Sequence, residues 1–257
     1  MTFPVYFNFF GRPVHPHLVM EVIGYAAGFQ LYQFLRRRQR RAGDPAAVLP
    51  FEQNVWLIVG CVFGALTGSK LLAWVESFDH YRALSGDPRV WLGGKTIVGG
   101  LLGGWVGVEV AKRRLGITRS TGDLFVFPLI LGMCLGRVGC FLTGLDDHTY
   151  GVATSLPWGV DFGDGLRRHP TQLYDIAVLL GMAALFLVAP PRGEGRRFRW
   201  FMLGYLSWRF LAEFIKPREI RVPALNLSAI QIASLAGAMV CAWALMRNLD
   251  REDRALV

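Results

Sequence analysis

Long apolar runs, separated by short segments rich in arginine, glycine or proline, recur along the whole chain. Several windows of about 20 residues carry almost no charge, and a helix of that length crosses the hydrocarbon of a bilayer. The pattern predicts an all-α polytopic membrane protein whose residues 1–257 form a single transmembrane domain. Seven transmembrane helices are expected, at roughly 18–35, 53–75, 95–111, 123–143, 171–189, 199–215 and 227–246.

The basic residues predict the orientation of these helices. Sixteen of them fall in the loops after the first, third and fifth helices and in the C-terminal tail, whereas eight fall on the opposite side. Cytoplasmic loops carry an excess of Lys and Arg, so we expect a periplasmic N-terminus and a cytoplasmic C-terminus. Because the basic residues cluster beyond apolar runs, the net charge of +9 does not indicate a nucleic-acid partner.

Composition supports a membrane protein. Hydrophobic residues make up 53% of the 257 residues and charged residues 18%, and the mean hydropathy is +0.34. A soluble domain of this length carries more charge. The four cysteines lie inside or beside apolar runs without CxxC spacing, so we expect neither disulfides nor a metal site, and no cofactor.

Two polar segments, 76–94 and 144–170, link helices on the predicted periplasmic side. The second contains DDHTYGVATSLPWGVDFGDGLRRHP, whose Gly, Pro and Asp content is typical of turns and short strands. It is too short for an independent domain. We therefore expect residues 144–170 to form a small periplasmic cap over the helices.

One arginine, Arg137, stands inside the apolar run LILGMCLGRVGCFLTG, where an uncompensated charge is costly. No acidic residue lies within four positions of it on the same predicted helix. It therefore needs a partner from another helix, a water-filled cavity or an anionic ligand, and we favour a functional role.

Three further cations lie within or against the predicted helices. Lys70 and Lys95 are near the outer ends, where they either line a binding site or extend to the membrane interface. Arg209 is followed four residues later by Glu213, so the two share a helical face and can neutralise each other.

Glycine recurs in the segment GGKTIVGGLLGGWVGVE. Gly99, Gly103 and Gly107 form a stripe of small residues that lets another helix approach closely. Gly93 and Gly94, at the predicted membrane entrance, are candidates to present backbone N–H groups to an anion.

The segment RRHPTQLYD covers residues 167–175, at the start of the fifth predicted helix. Pro170 suits the first helical position, with His169 just before it. Gln172 and Asp175 are three residues apart and should share one face. A histidine at a helix start is more often structural than catalytic, but the two preceding arginines make His169 a candidate for catalysis.

Five motifs, in order over about residues 90–235, resemble those of the prolipoprotein diacylglyceryl transferase family. GRVGCFLTGLDDHTYG is similar to the family signature G-R-x-G-N-F-x-N-x-E-x-x-G, and HPTQLYD to H-P-[ST]-Q-L-Y-E. GGKTIVGGLLGG, GYLSWRFLAEFIKPRE and LSAIQIASL resemble G-G-M-[SA]-x-H-G-G, G-x-x-R-F-x-x-E-x-x-R-x-P and L-[ST]-x-G-Q-x-x-S. The chain is thus identified as a divergent member of that family.

The resemblance implies an enzyme of the bacterial inner membrane, surrounded by membrane lipids, that takes phosphatidylglycerol as its donor. Family members transfer the diacylglyceryl group to the thiol of a lipobox cysteine in a lipoprotein precursor and release glycerol-1-phosphate. Arg137 and Arg209 correspond to the two family arginines, so the lipid phosphodiester would supply the charge that compensates Arg137. Both arginines are expected to contact one phosphate in a shared cavity, since the planar guanidinium matches phosphate oxygens.

The candidate site residues follow from the buried charges, the glycine pair and the family motifs. The candidate catalytic residues are Arg137, Arg209, His169 and Glu213. The candidate substrate-binding residues are Gly93, Gly94, Lys95, Gly136, Gly139, Gln172, Tyr174, Glu21 and Lys70.

The chain departs from the family pattern around the expected acceptor chemistry. Val98 replaces the histidine of the glycine motif and cannot act as a base, while Cys140 and Thr143 replace the signature asparagines. Glu21 falls where the family has a tyrosine on the first helix. We choose His169 as the general base or acceptor-orienting group, with Glu21 as the second choice.

The sequence is compatible with three functions. The first is diacylglyceryl transfer to a lipobox cysteine, and the second is transfer of a lipid-derived group to another acceptor, such as a periplasmic glycan or a lipid. The third is a non-catalytic lipid binder or carrier. Turnover of phosphatidylglycerol separates the two enzymes from the carrier.

Overall fold

The structure, a computed structural model, describes residues 3–43, 49–83, 93–217 and 226–255, except for the side chains of residue 80 and residues 248–255. The described residues are mostly helical. Their helices are Pro16–Arg41 (α1), Phe51–Glu76 (α2), Phe78–Ala83 (α3), Ile97–Arg114 (α4), Val126–Thr143 (α5), Thr171–Val188 (α6), Arg196–Ala212 (α7) and Ala229–Ala255 (α8). Short 3₁₀ turns lie at Gly122–Phe125, Gly144–Asp147 and Glu213–Ile215.

Each of the seven ranges predicted to cross the membrane overlaps one of the long helices. Among the described residues, four helical segments are long and apolar enough to do so: Phe51–Glu76, Gly122–Asp147, Thr171–Val188 and Ala229–Arg247. The helices α1, α4 and α7 carry clustered charges in a terminal turn, which lowers their hydropathy. That all seven long helices span the membrane stays a prediction.

Large apolar side chains cover the outer faces of the apolar helices. Phe63 on α2 is 71% exposed, and Leu187 and Val188 at the end of α6 are 72% and 86% exposed. Helices that are apolar on their outer as well as their inner faces suit a hydrocarbon environment. The fold is therefore that of a helical membrane protein.

The helices group into two compact units. The first contains residues 3–43, 121–201 and 214–217, and in it α5 packs along both α1 and α6. The second contains residues 49–83, 93–120, 202–213 and 226–255, and in it α2 and α4 pack together and contact α8. A single transmembrane domain over residues 1–257 stays a prediction.

Glycines allow α2 and α4 to approach each other at backbone distance. The predicted stripe of Gly99, Gly103 and Gly107 faces a matching row of glycines on α2. A Cβ atom built on Gly60 of α2 would lie 2.8 Å from the carbonyl oxygen of Gly107. Any larger side chain would push the helices apart, so the predicted small-residue contact is confirmed.

Residues 144–170 contain turns and short strands, as predicted. The strands Val160–Asp161 (β3) and Arg167–Arg168 (β4) pair antiparallel. At the turn, Arg168 lies 2.5 Å from Asp164, and this hydrogen bond to the guanidinium lowers the pKa of that exposed carboxyl. The position of this segment on the periplasmic side stays a prediction.

An N-terminal hairpin was not predicted. The strands Phe7–Phe9 (β1) and Arg12–Val14 (β2) pair antiparallel through a turn in which Phe10 and Gly11 have positive φ. Phe3, which precedes the hairpin, packs its ring against Phe162 of the 144–170 segment, with 5.1 Å between the ring centroids. The N-terminal residues and residues 144–170 thus pack together next to the start of α1.

The start of α8 is held by reciprocal hydrogen bonds within the motif LSAIQIASL. The backbone N–H of Ser228 donates to Oε1 of Gln231 at 3.0 Å, and the backbone N–H of Gln231 donates to Oγ of Ser228 at 3.1 Å. This is a capping box, which satisfies two N–H groups that a helix start otherwise leaves unpaired. Glu76 on α2 accepts a further bond from the N–H of Ile230 at 2.9 Å. The Ser and Gln of this motif therefore have a structural role.

Replacing Ser228 by Ala should lower the free energy of unfolding by about 1 kcal/mol, because the helix loses its cap. Ser234 is the matched control on the same helix, since its hydroxyl is fully buried without a hydrogen-bond partner among the described residues. Ser234→Ala should leave stability unchanged or raise it. Thermal unfolding in detergent micelles measures both variants, and equal losses would contradict the capping role.

Candidate active site

Arg137 is paired with a carboxylate from another helix. Its side chain is on α5 and is 4% exposed, and its Nε atom lies 2.6 Å from Oδ2 of Asp175, a fully buried residue on α6. The contact is an ion pair, not an aligned hydrogen bond. Asp175, a partner from another helix, therefore compensates the charge of Arg137, while contact of Arg137 with a lipid phosphate stays a prediction.

The first turns of α6 direct two polar side chains toward the core of the first unit. Gln172 and Asp175 are both fully buried, which confirms that they share one face of the helix. The side-chain N–H of Gln172 donates to Oγ1 of Thr149 at 3.1 Å, and that hydroxyl donates to Oδ2 of Asp147 at 2.6 Å. A chain of hydrogen bonds thus runs from α6 to the 3₁₀ turn that follows α5.

This chain ends at a histidine that we did not predict. His17, in the first turn of α1, has its Nδ1 atom 3.0 Å from Oδ1 of Asp147 and 3.7 Å from Sγ of Cys140. On the other side of its ring, Nε2 lies 3.7 Å from Oε2 of Glu21. The available signal was the position of His17 immediately before the first apolar run, in the sequence HPH.

The cysteine that replaces the first asparagine of the family signature lies between this histidine and Arg137. Cys140 is buried, and Nη1 of Arg137 approaches its Sγ atom at 4.0 Å. Glu21 also accepts a hydrogen bond from the hydroxyl of Tyr25 at 2.8 Å. The first unit therefore brings Arg137 and Glu21 of the predicted set to opposite sides of one cluster formed by His17, Cys140 and Asp147.

Two predicted substrate-binding glycines of α5 differ in their surroundings. A Cβ atom on Gly139 would lie 2.8 Å from Cβ of Met20 and 3.2 Å from Cα of His17. Gly139 therefore lets α1 approach α5 and sets the position of His17. Gly136 has open space at the corresponding point.

The main chain of His169 joins residues 151 and 152 to the start of α6. Its backbone N–H donates to Val152 at 3.1 Å, and its carbonyl accepts from Gly151 at 2.8 Å and from Thr171 at 2.9 Å. Its ring Nδ1 lies 3.1 Å from the hydroxyl of Tyr174, another predicted site residue. The two predicted residues thus contact each other, and a role of His169 as the base stays a prediction.

The second buried arginine, Arg209, lies in the second unit. It is 4% exposed, and its Nη2 atom donates to Oε1 of Glu213, as the four-residue spacing predicts. Its Nε and Nη1 atoms are buried and have no hydrogen-bond partner among the described residues. Each buried donor left in this way costs about 1–3 kcal/mol, so this guanidinium retains the capacity to bind an anion.

The start of α4 is joined to α2 by the predicted cation Lys70. Its Nζ atom donates to the carbonyls of Gly93 and Gly94 at 3.0 Å and 2.9 Å. These two glycines therefore present carbonyl oxygens to a cation, whereas we expected them to present N–H groups to an anion. Lys95, the next residue, is exposed, and the binding of substrate by these four residues stays a prediction.

The position of the family histidine is part of the packing here. Val98 is 1% exposed and lies in the first turn of α4, which is capped by the hydroxyl of Thr96 accepting from the N–H of Gly99 at 3.2 Å. Val98 places no titratable group at this helix start, so any general base must come from elsewhere in the chain.

The second unit also has an apolar groove of about 1010 Å³ along α2 and α4.

Comparison with known proteins identifies the family. Residues 4–247 match the family described as prolipoprotein diacylglyceryl transferase. The chain belongs to this family.

The chain is similar to curated family members over most of its length. It is 31% identical over 247 residues to the phosphatidylglycerol–prolipoprotein diacylglyceryl transferase of Actinobacillus pleuropneumoniae serotype 3 (strain JL03), covering 90% of this chain and 89% of that protein. The enzyme of the same name from Nitratidesulfovibrio vulgaris (strain DP4) is 29% identical over 264 residues, or 98% and 94% of the two chains. That of Methylobacillus flagellatus is 36% identical over 201 residues, or 73% and 75%.

The contact between α1 and α5 offers a test of how the site is positioned. Gly139→Ala should destabilise the chain although Ala favours helix, because its methyl group would collide with Met20 and displace His17. Gly136→Ala is the matched control on the same helix and should be neutral or stabilising by up to about 1 kcal/mol. Thermal unfolding in detergent compares the two variants. A Gly139→Ala variant as stable as Gly136→Ala would rule out the close contact.

Proposed function

We propose that this chain transfers the diacylglyceryl group of phosphatidylglycerol to the cysteine thiol of a prolipoprotein in a bacterial inner membrane. The relatives named above carry this donor and this acceptor in their names, and the family match extends over residues 4–247. The structural observation that supports the proposal most directly is Arg209, whose buried guanidinium has two N–H donors without partners among the described residues.

Two arginines suit the chemistry of this transfer. The thiolate sulfur attacks the glycerol carbon of the lipid while the bond from that carbon to the phosphate oxygen breaks, and glycerol-1-phosphate leaves with the electron pair. Fixed cationic donors stabilise the departing phosphate. Glu213 orients the guanidinium of Arg209, and Asp175 orients that of Arg137.

Contact of both arginines with one phosphate stays a prediction. Each arginine is described within its own unit, and each is buried beside one carboxylate. In the proposed reaction Arg209 supplies the free donors for the phosphate, while Arg137, whose charge Asp175 balances, directs its Nη1 atom toward Cys140 of the signature segment. A membrane-depth site also excludes water that would compete with the thiol.

The apolar groove of the second unit suits a lipid substrate. It lies along the glycine contact of α2 and α4 and is lined by side chains such as Phe63, Leu71 and Val106. Hydrocarbon chains bind to such surfaces without loss of hydrogen bonds. The groove therefore fits the acyl chains of a glycerophospholipid better than a polar substrate.

The proposed orientation has a periplasmic N-terminus, a periplasmic cap at residues 144–170 and a cytoplasmic C-terminus. The uneven distribution of basic residues between the loops supports it. A membrane-impermeant thiol reagent applied from outside should label a cysteine placed at residue 148 but not one placed at residue 195. The reverse pattern would refute the orientation.

The acceptor has an alternative because the chain has lost family groups on that side. Val98 and Cys140 stand where the family has histidine and asparagine. This difference favours, as the second candidate function, transfer of a phosphatidylglycerol-derived group to a periplasmic glycan or to another lipid. His169 stays the proposed base, with Glu21 as the second choice.

One experiment distinguishes the candidate functions. The purified chain is incubated with labelled phosphatidylglycerol and either a lipobox peptide or a glycan extract, and the products are analysed by mass spectrometry. The proposal predicts a diacylglyceryl thioether on the peptide and none on the same peptide with the lipobox Cys changed to Ser. A product on the glycan alone would establish the second function. Binding of the lipid without any product would indicate the third function, a non-catalytic lipid binder or carrier.

Replacing Arg137 by Lys should reduce the rate of this transfer at least about tenfold, because a point charge does not reproduce the directed donors of a guanidinium. Arg113→Lys is the matched control, since Arg113 is exposed at the end of α4, and it should retain the full rate. Initial rates with labelled phosphatidylglycerol measure both. Full activity in Arg137→Lys would exclude a role that depends on the planar set of guanidinium N–H donors. Full activity in Arg137→Ala would exclude phosphate binding by this residue.

A further inference from the structure

Three side chains with metal-binding atoms meet at one point in the first unit. They come from separate segments: His17 from the first turn of α1, Cys140 from the last turn of α5, and Asp147 from the 3₁₀ turn that follows. Their ligand atoms all lie within 4.8 Å of one another. We propose that His17, Cys140 and Asp147 bind one zinc ion, with a fourth coordination position left open.

The distances fit tetrahedral zinc. Zinc binds thiolate sulfur at about 2.3 Å and histidine nitrogen or carboxylate oxygen at about 2.0–2.2 Å, so neighbouring ligand atoms lie about 3–4 Å apart. Nδ1 of His17 is 3.0 Å from Oδ1 of Asp147 and 3.7 Å from Sγ of Cys140. The third pair, Sγ of Cys140 and a carboxylate oxygen of Asp147, lies within 4.8 Å, so one ion fits among the three atoms after small side-chain shifts.

Neighbouring groups hold the ligands in the orientation that a metal requires. Oε2 of Glu21 lies 3.7 Å from Nε2 of His17, so once zinc replaces the contact of Nδ1 with Asp147, a small shift would let Nε2–H donate to this carboxylate and orient the ring. Tyr25 fixes Glu21 by donating to its other oxygen at 2.8 Å. Thr149 donates to Oδ2 of Asp147 at 2.6 Å and leaves Oδ1 toward His17.

The charges and the burial of the cluster also favour a divalent cation. A thiolate and a carboxylate together balance the charge of Zn²⁺, and soft sulfur combined with imidazole selects zinc over magnesium or calcium. The nearby guanidinium of Arg137 does not oppose this charge balance, because Asp175 neutralises it. Cys140 is 6% exposed, whereas the side chains of His17 and Asp147 are 23% and 12% exposed, so the open position faces the accessible side.

A catalytic role for the open coordination position rests on the proposed function. The lipobox thiol would bind zinc as its thiolate and pass its proton to water, which makes a base at the position of Val98 unnecessary. The zinc-bound sulfur would then attack the glycerol carbon as the carbon–oxygen bond to phosphate breaks. Three protein ligands with one exchangeable position are typical of catalytic zinc.

The test uses the purified full-length chain, stripped with a chelator, reloaded with Zn²⁺ or Co²⁺ and freed of excess metal. We expect about one zinc per chain by elemental analysis, and a sulfur-to-cobalt charge-transfer band in the near ultraviolet. Cys140→Ser should abolish this band. Cys134→Ser, which removes another thiol of α5, should retain it. Glu21→Gln should weaken zinc binding about tenfold, because the histidine loses its orienting carboxylate.

Reloaded wild-type chain without bound zinc, or a cobalt band that survives Cys140→Ser, would overturn the site, and the wild-type spectrum decides this even if a variant misfolds. For the catalytic role, the stripped chain should lose thioether formation on the lipobox peptide and regain it with Zn²⁺. Full activity of the stripped chain would overturn that role. Absence of thioether from the zinc-loaded chain would instead overturn the proposed function, while the measured zinc content would still establish the site.

Discussion

The cost of burying charge among apolar helices governs the interior of this protein. A guanidinium removed from water is tolerated only beside a compensating group, and removing one member of such a pair costs about 3–5 kcal/mol. In the part of the chain that the structure describes, Asp175 lies beside the buried Arg137 and Glu213 beside the buried Arg209. Apolar residues of similar volume would pack these positions at no electrostatic cost, so the retention of both pairs favours a function for the charges.

Local spacing explains which parts of this arrangement could be predicted from the sequence. The apolar runs gave helices at all seven expected ranges, and the four-residue spacing of Arg209 and Glu213 gave their ion pair, because both signals depend on neighbours within one helix. The pairing of Arg137 with Asp175 could not be read in this way. This ion pair joins residues on two helices and depends on how α5 and α6 pack. The sequence alone was therefore equally compatible with a ligand as the partner of Arg137.

The largest differences from expectation lie around the family signature. Cys140 was treated only as the loss of an asparagine, and His17 was not considered, because no short-range motif connects them. The structure brings them to 3.7 Å, since Gly139 lets α1 approach α5. Cys140, which counts as a loss when it is compared with the family pattern by itself, thus forms a cluster with His17 in the folded chain. Its chemistry suits the acceptor thiol, whereas Arg209 retains the chemistry that suits the phosphate.

The most direct test of the central claim measures whether the free donors of Arg209 bind the phosphate of the lipid. Thermal unfolding of wild type and Arg209→Lys is followed in vesicles with phosphatidylglycerol and in vesicles with phosphatidylserine at matched surface charge. A ligand that binds the folded chain raises its unfolding temperature, and lysine keeps the charge but removes the fork of donors. The account predicts extra stabilisation of the wild type by phosphatidylglycerol that is lost in Arg209→Lys. Equal stabilisation of the two proteins by phosphatidylglycerol would contradict it.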